Sequence, residues 1–180
     1  MLNELFKTVE RVKVLRYVMF RNSFSVAEVS RATGVTKGLV SRYLRLLVEF
    51  HLLKKEGREY SPLDSAYSRS IRLLLNLEMI DLSSLSLSSA KGLGLYGSWA
   101  RGTNHLESDL DVWMKAESLP AESILARLQK DLSLQTGAEV NLLVLTPDKL
   151  LKLKRDDKPF YNSLVMGSTT LIGESLEEYR

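Results

Sequence analysis

The chain has no cysteine, only two histidines and no long apolar run. The first absence excludes disulfides, and with so few histidines it argues against a structural zinc site. No stretch approaches the ~20 apolar residues that a membrane-spanning helix needs. The opening residues, Met1-Leu2-Asn3-Glu4, lack the charged-then-apolar pattern of a signal peptide. A soluble, cytoplasmic protein with no membrane partner is therefore the expectation. What is present is apolar material, 44% of 180 residues, enough to bury one good core or two small ones. Charge divides the chain. Residues 1–91 hold 15 Lys and Arg against 9 Asp and Glu, whereas residues 92–180 hold 10 against 13, so +6 is followed by −3. A basic front and an acidic back imply two modules with different partners.

In the front half, apolar residues recur near helical spacing over 3–21 (Leu5, Phe6, Val9, Val12, Leu15, Val18, Met19), which predicts one first helix. Ser25-Val26-Ala27-Glu28 has the pattern of a capping box and opens a short helix. That helix is expected to stop at Thr33-Gly34, where glycine supplies the left-handed C′ position. Thr36 is expected to cap a third helix that buries Leu39, Val40, Tyr43, Leu44, Leu47 and Val48. Its opposite face shows Lys37, Ser41, Arg42 and Arg45. Residues 52–56 and 59–62, joined at Gly57-Arg58, read as a small hairpin. The segment from Val26 to Tyr60 resembles the winged helix-turn-helix domains of bacterial and archaeal transcription regulators. The resemblance implies double-stranded DNA as a partner. Lys37, Ser41, Arg42 and Arg45 would face the major groove, with the wing residues Lys54, Lys55 and Arg58 near phosphates. The same fold also serves protein contacts in which such charges are simply solvated, and that alternative stays open here.

Between Asp64 and Ile80, Ile71, Leu73, Leu74, Leu75, Leu77, Met79 and Ile80 exceed what one buried stripe requires. Either the second module covers the surplus or a second copy of the chain does; a homodimer would suit a palindromic DNA site. The Ser-rich segment 81–91 is a flexible linker or a lead-in element resting on the second module. The expected domains are 1–80, the DNA-binding module with its connecting helix, and 81–180.

The most informative stretch runs from Gly94 to Met114. A short apolar run (Leu93, Leu95, Tyr96) leads into Gly97-Ser98 and an expected helical turn, Trp99-Ala100-Arg101. Ten residues separate Ser98 from Asp109-Leu110-Asp111, which Val112-Trp113-Met114 follows. Backbone N–H groups at a helix start hold phosphate oxygens, and glycine lets a ligand approach the main chain. Aspartates at i and i+2 of a strand point to one side, so both reach the same divalent cations. Gly-Ser followed at this distance by Asp-x-Asp resembles the signature of the minimal nucleotidyltransferase family, part of the DNA polymerase β-like superfamily. The resemblance implies that Gly97 and Ser98 hold the phosphates of a nucleoside triphosphate, ATP by default. Arg101, three residues along the same helix, is within reach of them too. Asp109 and Asp111 would bind two Mg²⁺ ions, and a nucleoside monophosphate would pass to an acceptor hydroxyl as pyrophosphate leaves.

Downstream, 122–136 reads as a helix closed by Gly137, 139–145 as a strand, 147–154 as a helix and 168–172 as a last short strand. The expected fold is α+β, a small mixed sheet with helices on one face. The family supplies a third carboxylate in a Val-Asp-Leu context, where this chain has Val140-Asn141-Leu142. Asparagine offers a cation a neutral carbonyl, without charge or basicity. Glu139, two residues earlier on the same side, is expected to replace the missing group in part. Two functions remain open. One is a Mg²⁺-dependent transferase acting on a macromolecular acceptor, in such relatives often a tyrosine of a partner toxin. The other is a DNA-binding transcription regulator whose degenerate nucleotidyltransferase domain only senses nucleotide.

Overall fold

A computed structural model describes residues 1–176. The chain forms two compact units, Met1–Leu75 with Asn104–Leu106, and Asn76–Thr103 with Glu107–Arg180.

The first unit begins with α1 (Leu2–Leu5) and α2 (Val9–Met19). The single helix expected over 3–21 is thus interrupted. Thr8 is extended and its hydroxyl accepts the Arg11 N–H at 3.3 Å, so a cap sits inside the apolar pattern and restarts the helix. Next come β1 (Phe24–Ser25), α3 (Val26–Thr33), α4 (Lys37–Glu49), β2 (Leu53–Glu56) and β3 (Glu59–Pro62). The capping box forms in full: the Glu28 N–H donates to Ser25 Oγ at 3.3 Å, and the Ser25 N–H donates to the Glu28 carboxylate at 2.7 Å. Thr36 occupies the N-cap position of α4 but its side chain makes no cap bond. Thr36 is exposed, which leaves water to satisfy the first-turn N–H groups. β1, too short to show a period of two, adds to the hairpin in the antiparallel order β1-β3-β2. The core gathers Leu15, Val18 and Met19 of α2, Val29 of α3 and Val40, Tyr43, Leu44 and Leu47 of α4. The Tyr43 hydroxyl donates to the Leu5 carbonyl at 2.8 Å, and its burial pushes its pKa up.

Helix α5 (Ala66–Glu78) runs across the division in the chain. Its Ile71 and Leu75 belong to the first core, and Leu77, with Met79 and Ile80 after it, to a second. The apolar surplus of this segment is therefore largely used within one chain, although Tyr67 and Leu74 stay 60% and 48% exposed.

The second unit comprises β4 (Gly92–Leu95), α6 (Gly97–Arg101), β5 (Leu110–Lys115), α7 (Glu122–Thr136), β6 (Val140–Leu145), α8 (Pro147–Asp156), α9 (Lys158–Gly167) and β7 (Thr169–Gly173). Its sheet has the order β6-β5-β4-β7; β5 and β6 are parallel and the other pairs antiparallel. Small sheets with helices make the architecture mixed α+β, but the helices do not keep to one face. Leu110, Val112 and Met114 pack with Leu128 and Leu132 of α7, while Trp113 packs with Leu145, Leu150 of α8 and Leu164 of α9. Successive strand residues point to opposite faces, so the sheet is covered on both. The cause is the central strand β5, apolar on both sides over Val112-Trp113-Met114, which needs two covers. α9 fell outside the expected elements. Its start is marked by Asp157, whose carboxylate accepts the Phe160 N–H at 3.1 Å, and by a proline in the first turn. At the end of β5, Lys115 is fully buried, with Nζ 3.0 Å from the Glu174 carboxylate and donating to the Ser175 carbonyl at 3.0 Å. Among the described residues, no helix is long and apolar enough to cross a membrane.

Candidate active site

β4 ends in the buried Leu95, and Tyr96 stays extended before the chain turns at Gly97 with φ +68°. A Cβ at Gly97 would stand 2.2 Å from Asp111 Oδ2, so glycine is required twice, for the left-handed backbone and for the carboxylate lying against its Cα. The turn is tied down on several sides. The Tyr96 N–H donates to the Asp111 carbonyl at 3.0 Å, the Thr103 N–H to the Ser98 carbonyl at 3.0 Å and the Trp99 indole to the Ser108 carbonyl at 3.3 Å. Asn76, fully buried at the end of α5, donates Nδ2 to the Trp99 carbonyl at 2.9 Å. Asn76 is a positioning residue that sequence reasoning missed, since nothing local distinguishes it from a surface asparagine. α6 has only five residues, so its dipole is slight. Any hold on phosphate rests on the main-chain N–H groups and the half-buried Ser98 hydroxyl, for which no hydrogen bond is found among the described residues.

Asp109 lies just before β5 and is exposed; Asp111, its second residue, is half-buried and sits in register opposite Asn141 of β6. Asn141 Nδ2 donates to Asp111 Oδ1 at 3.2 Å and, more weakly, lies 3.5 Å from Asp109 Oδ2. One amide thus spans both carboxylates. Burial, and after it the charge of Asp111, raises the pKa of the Tyr96 hydroxyl. The sequence-predicted residues are not all brought together. Glu139 contributes its carbonyl to the Leu110 N–H at 2.8 Å, but its side chain is exposed. Among the described residues, no three acidic or histidine side chains are grouped to hold a metal. Arg101 is exposed, its Nη1 beside Gly167 at the end of α9, 3.9 Å from where a Cβ would stand. No hydrogen bond joins it to the aspartates among the described residues.

The two carboxylates of Asp109 and Asp111 are hard oxygen donors. They fit Mg²⁺, which takes one or two protein carboxylates and completes its shell with substrate phosphates. Two negative charges balance one divalent ion.

In the first unit, Lys37, Arg42 and Arg45 are exposed on α4, with Ser41 half-buried between them. Lys54 pairs with Glu56 at 2.8 Å, Lys55 lies over the Tyr60 ring at 5.6 Å, and Arg58 is exposed at the hairpin turn.

Residues 81–161 match the family described as a nucleotidyltransferase domain. An uncharacterized protein of Methanocaldococcus jannaschii is 30% identical over 82 residues, 44% of this chain and 47% of that protein. The chain therefore spans about half the length of the curated relative it matches. Among solved structures, a toxin–antitoxin with AMP-PNP shares 20% identity at a TM-score of 0.37, over 61% of this chain and 75% of that one. A tri-AMPylated Shewanella oneidensis HEPN toxin in complex with MNT antitoxin shares 13% at 0.35, over 59% and 73%. A toxin–antitoxin MntA-HpeT mutant shares 17% at 0.38, over 61% and 75%. What the chain has in common with the nucleotidyltransferase domain family is the stretch that carries the Gly97 turn, the paired aspartates and Asn141.

Proposed function

We propose that the second unit transfers a nucleoside monophosphate from a nucleoside triphosphate, ATP by default, to a hydroxyl of a macromolecular acceptor. One observation carries this reading: Asp109 and Asp111 converge on a single amide while the Asp111 carboxylate lies against the Cα of Gly97. A triphosphate held at that turn would lie beside two negative groups suited to Mg²⁺. When bound, Mg²⁺ would supply positive charge to the phosphate oxygens. The main-chain N–H groups at Gly97 and Ser98, with the Ser98 hydroxyl, orient the triphosphate. The acceptor hydroxyl oxygen attacks the α-phosphorus and gives up its proton to water, the bond to the bridging oxygen breaks and pyrophosphate leaves. Positioning and electrostatics carry most of such a step. Glu139 enters only as an outlying carboxylate, so its replacement by Gln should cost transfer far less than loss of either aspartate. The acceptor class favoured by the family resemblance is a toxin-like partner protein.

The test is incubation with ATP labelled at the α-phosphate, Mg²⁺ and candidate acceptor proteins. Label should appear on an acceptor and fall by roughly 100-fold or more in Asp109→Ala with Asp111→Ala, as expected for loss of transition-state charge stabilisation. Failure of both the wild type and Asn141→Asp to label any acceptor would sink the transferase.

A second reading is supported by the first unit. Helices α2, α3 and α4 followed by the antiparallel hairpin β2-β3, onto which β1 from between α2 and α3 adds as a third strand, support a winged helix-turn-helix that binds double-stranded DNA through α4 and the hairpin. On this reading the neutral Asn141 marks a domain that senses nucleotide, and a homodimer would match a palindromic site. Sedimentation of the protein alone and with DNA tests the pairing; a strict monomer in both would exclude it.

A further inference from the structure

We infer that the Asn141 amide serves as an internal stand-in for a cation between the two aspartates, and that a divalent ion enters only by displacing it. The inference rests on the reading of Asp109 and Asp111 as a cation site and goes beyond it.

Ionised carboxylates only accept hydrogen bonds, so an amide that meets both must present its nitrogen. The geometry agrees: Nδ2 faces Asp111 Oδ1 at 3.2 Å and Asp109 Oδ2 at 3.5 Å, one N–H for each. Two like charges brought onto one strand face repel, and the positive ends of the two N–H bonds offset that repulsion. The same N–H groups oppose a cation, because they fill the position between the carboxylates and carry charge of its sign. Loading therefore requires the amide to swing out. That movement is open to it. Asn141 is exposed, and β6 is an edge strand of its sheet. Water then satisfies the released N–H groups.

Cation and nucleotide binding become coupled as a result. The free protein takes a divalent ion weakly because the ion competes with the amide. A triphosphate adds oxygen ligands that the amide cannot match, and by linkage each ligand strengthens the other. A carboxylate at position 141 would remove this competition and add charge.

The test is a titration of the nucleotide-free protein with Mn²⁺, followed by electron paramagnetic resonance of the free ion, with Mg²⁺ as competitor. Asp109→Ala with Asp111→Ala should abolish binding. Asn141→Ala and the broader, donor-free Asn141→Leu should each tighten it, by about fivefold for the loss of a competing charge-assisted hydrogen bond at an exposed site. In wild-type protein, Mg²⁺ should move the Asn141 side-chain amide resonances to positions typical of solvent-exposed asparagine. Weaker or unchanged Mn²⁺ affinity in both Asn141 variants would overturn the stand-in role while leaving the cation site intact. Undiminished binding in the double aspartate variant would instead overturn the cation reading beneath it.

Discussion

At Gly97, backbone and side-chain demands coincide, and a cycle of substitutions can separate them. Gly97→Ala forces an L residue to φ +68° and sets its Cβ against Asp111 Oδ2. The backbone part alone costs about 1–2 kcal/mol. The remainder depends on Asp111, so Gly97→Ala should be less destabilising in an Asp111→Ala background than in the wild type, measured by denaturant unfolding. Equal losses in both backgrounds would mean that the carboxylate does not press on this glycine. Lys115 makes a second residue-level case. Its ammonium is buried against Glu174, itself 46% exposed, so the two partners are unequal. Lys115→Met leaves a carboxylate that water can reach and should change stability little. Glu174→Ala takes one negative partner from a buried ammonium that keeps its bond to the Ser175 carbonyl, and should cost more stability than Lys115→Met. The reverse order of effects in thermal melts would show that the pair is held by something other than charge.

Helix α3 shows how an element writes its own boundary. The Glu28 carboxylate accepts from the Ser25 N–H and hydroxyl, and both bonds hold its pKa below the ordinary value of 4.5. A depressed folded pKa contributes stability that is present above the unfolded value and is lost as pH falls through the folded one. The melting-temperature difference between wild type and Glu28→Gln should therefore shrink as pH drops from 6 through about 4 and below. A difference independent of pH would exclude the charged cap. This boundary was legible in Ser25-Val26-Ala27-Glu28 because both partners lie within one turn. The break between α1 and α2 was hidden: Thr8 sits in a run whose apolar spacing continues on either side. α9 was hidden for a related reason, since Phe160, Tyr161, Leu164 and Val165 follow a helix end so closely that only the Asp157 cap divides them from α8.

For the whole molecule, the split of charge makes the clearest prediction. If α4 and the hairpin bind DNA, affinity should fall steeply with salt, and Lys55→Ala should reduce the slope of log K against log salt by about one. Arg42→Ala, at a position assigned to the groove, should weaken binding and relax sequence preference. Salt-insensitive binding, or none, would leave the basic half a solvated surface. The reading of helices on one face failed at this scale. β5 was recognised as a strand, but that both its sides are apolar and need cover depends on which helices return to it.

The amino-acid sequence by itself determined the local devices: the capping box, the Gly97-Ser98 turn, the aspartates paired at the start of β5 (Asp109 just before it, Asp111 in it) and the basic outer face of α4. Each is set by residues within a few positions of one another, where backbone sterics and short hydrogen bonds decide the outcome. Only the tertiary structure decided that Asn141 reaches both aspartates, that Glu139 stays apart, and that Asn76 holds the turn. Those contacts follow from strand register and from packing over long separations, and a slip of one residue between β5 and β6 would turn Asn141 to the opposite face.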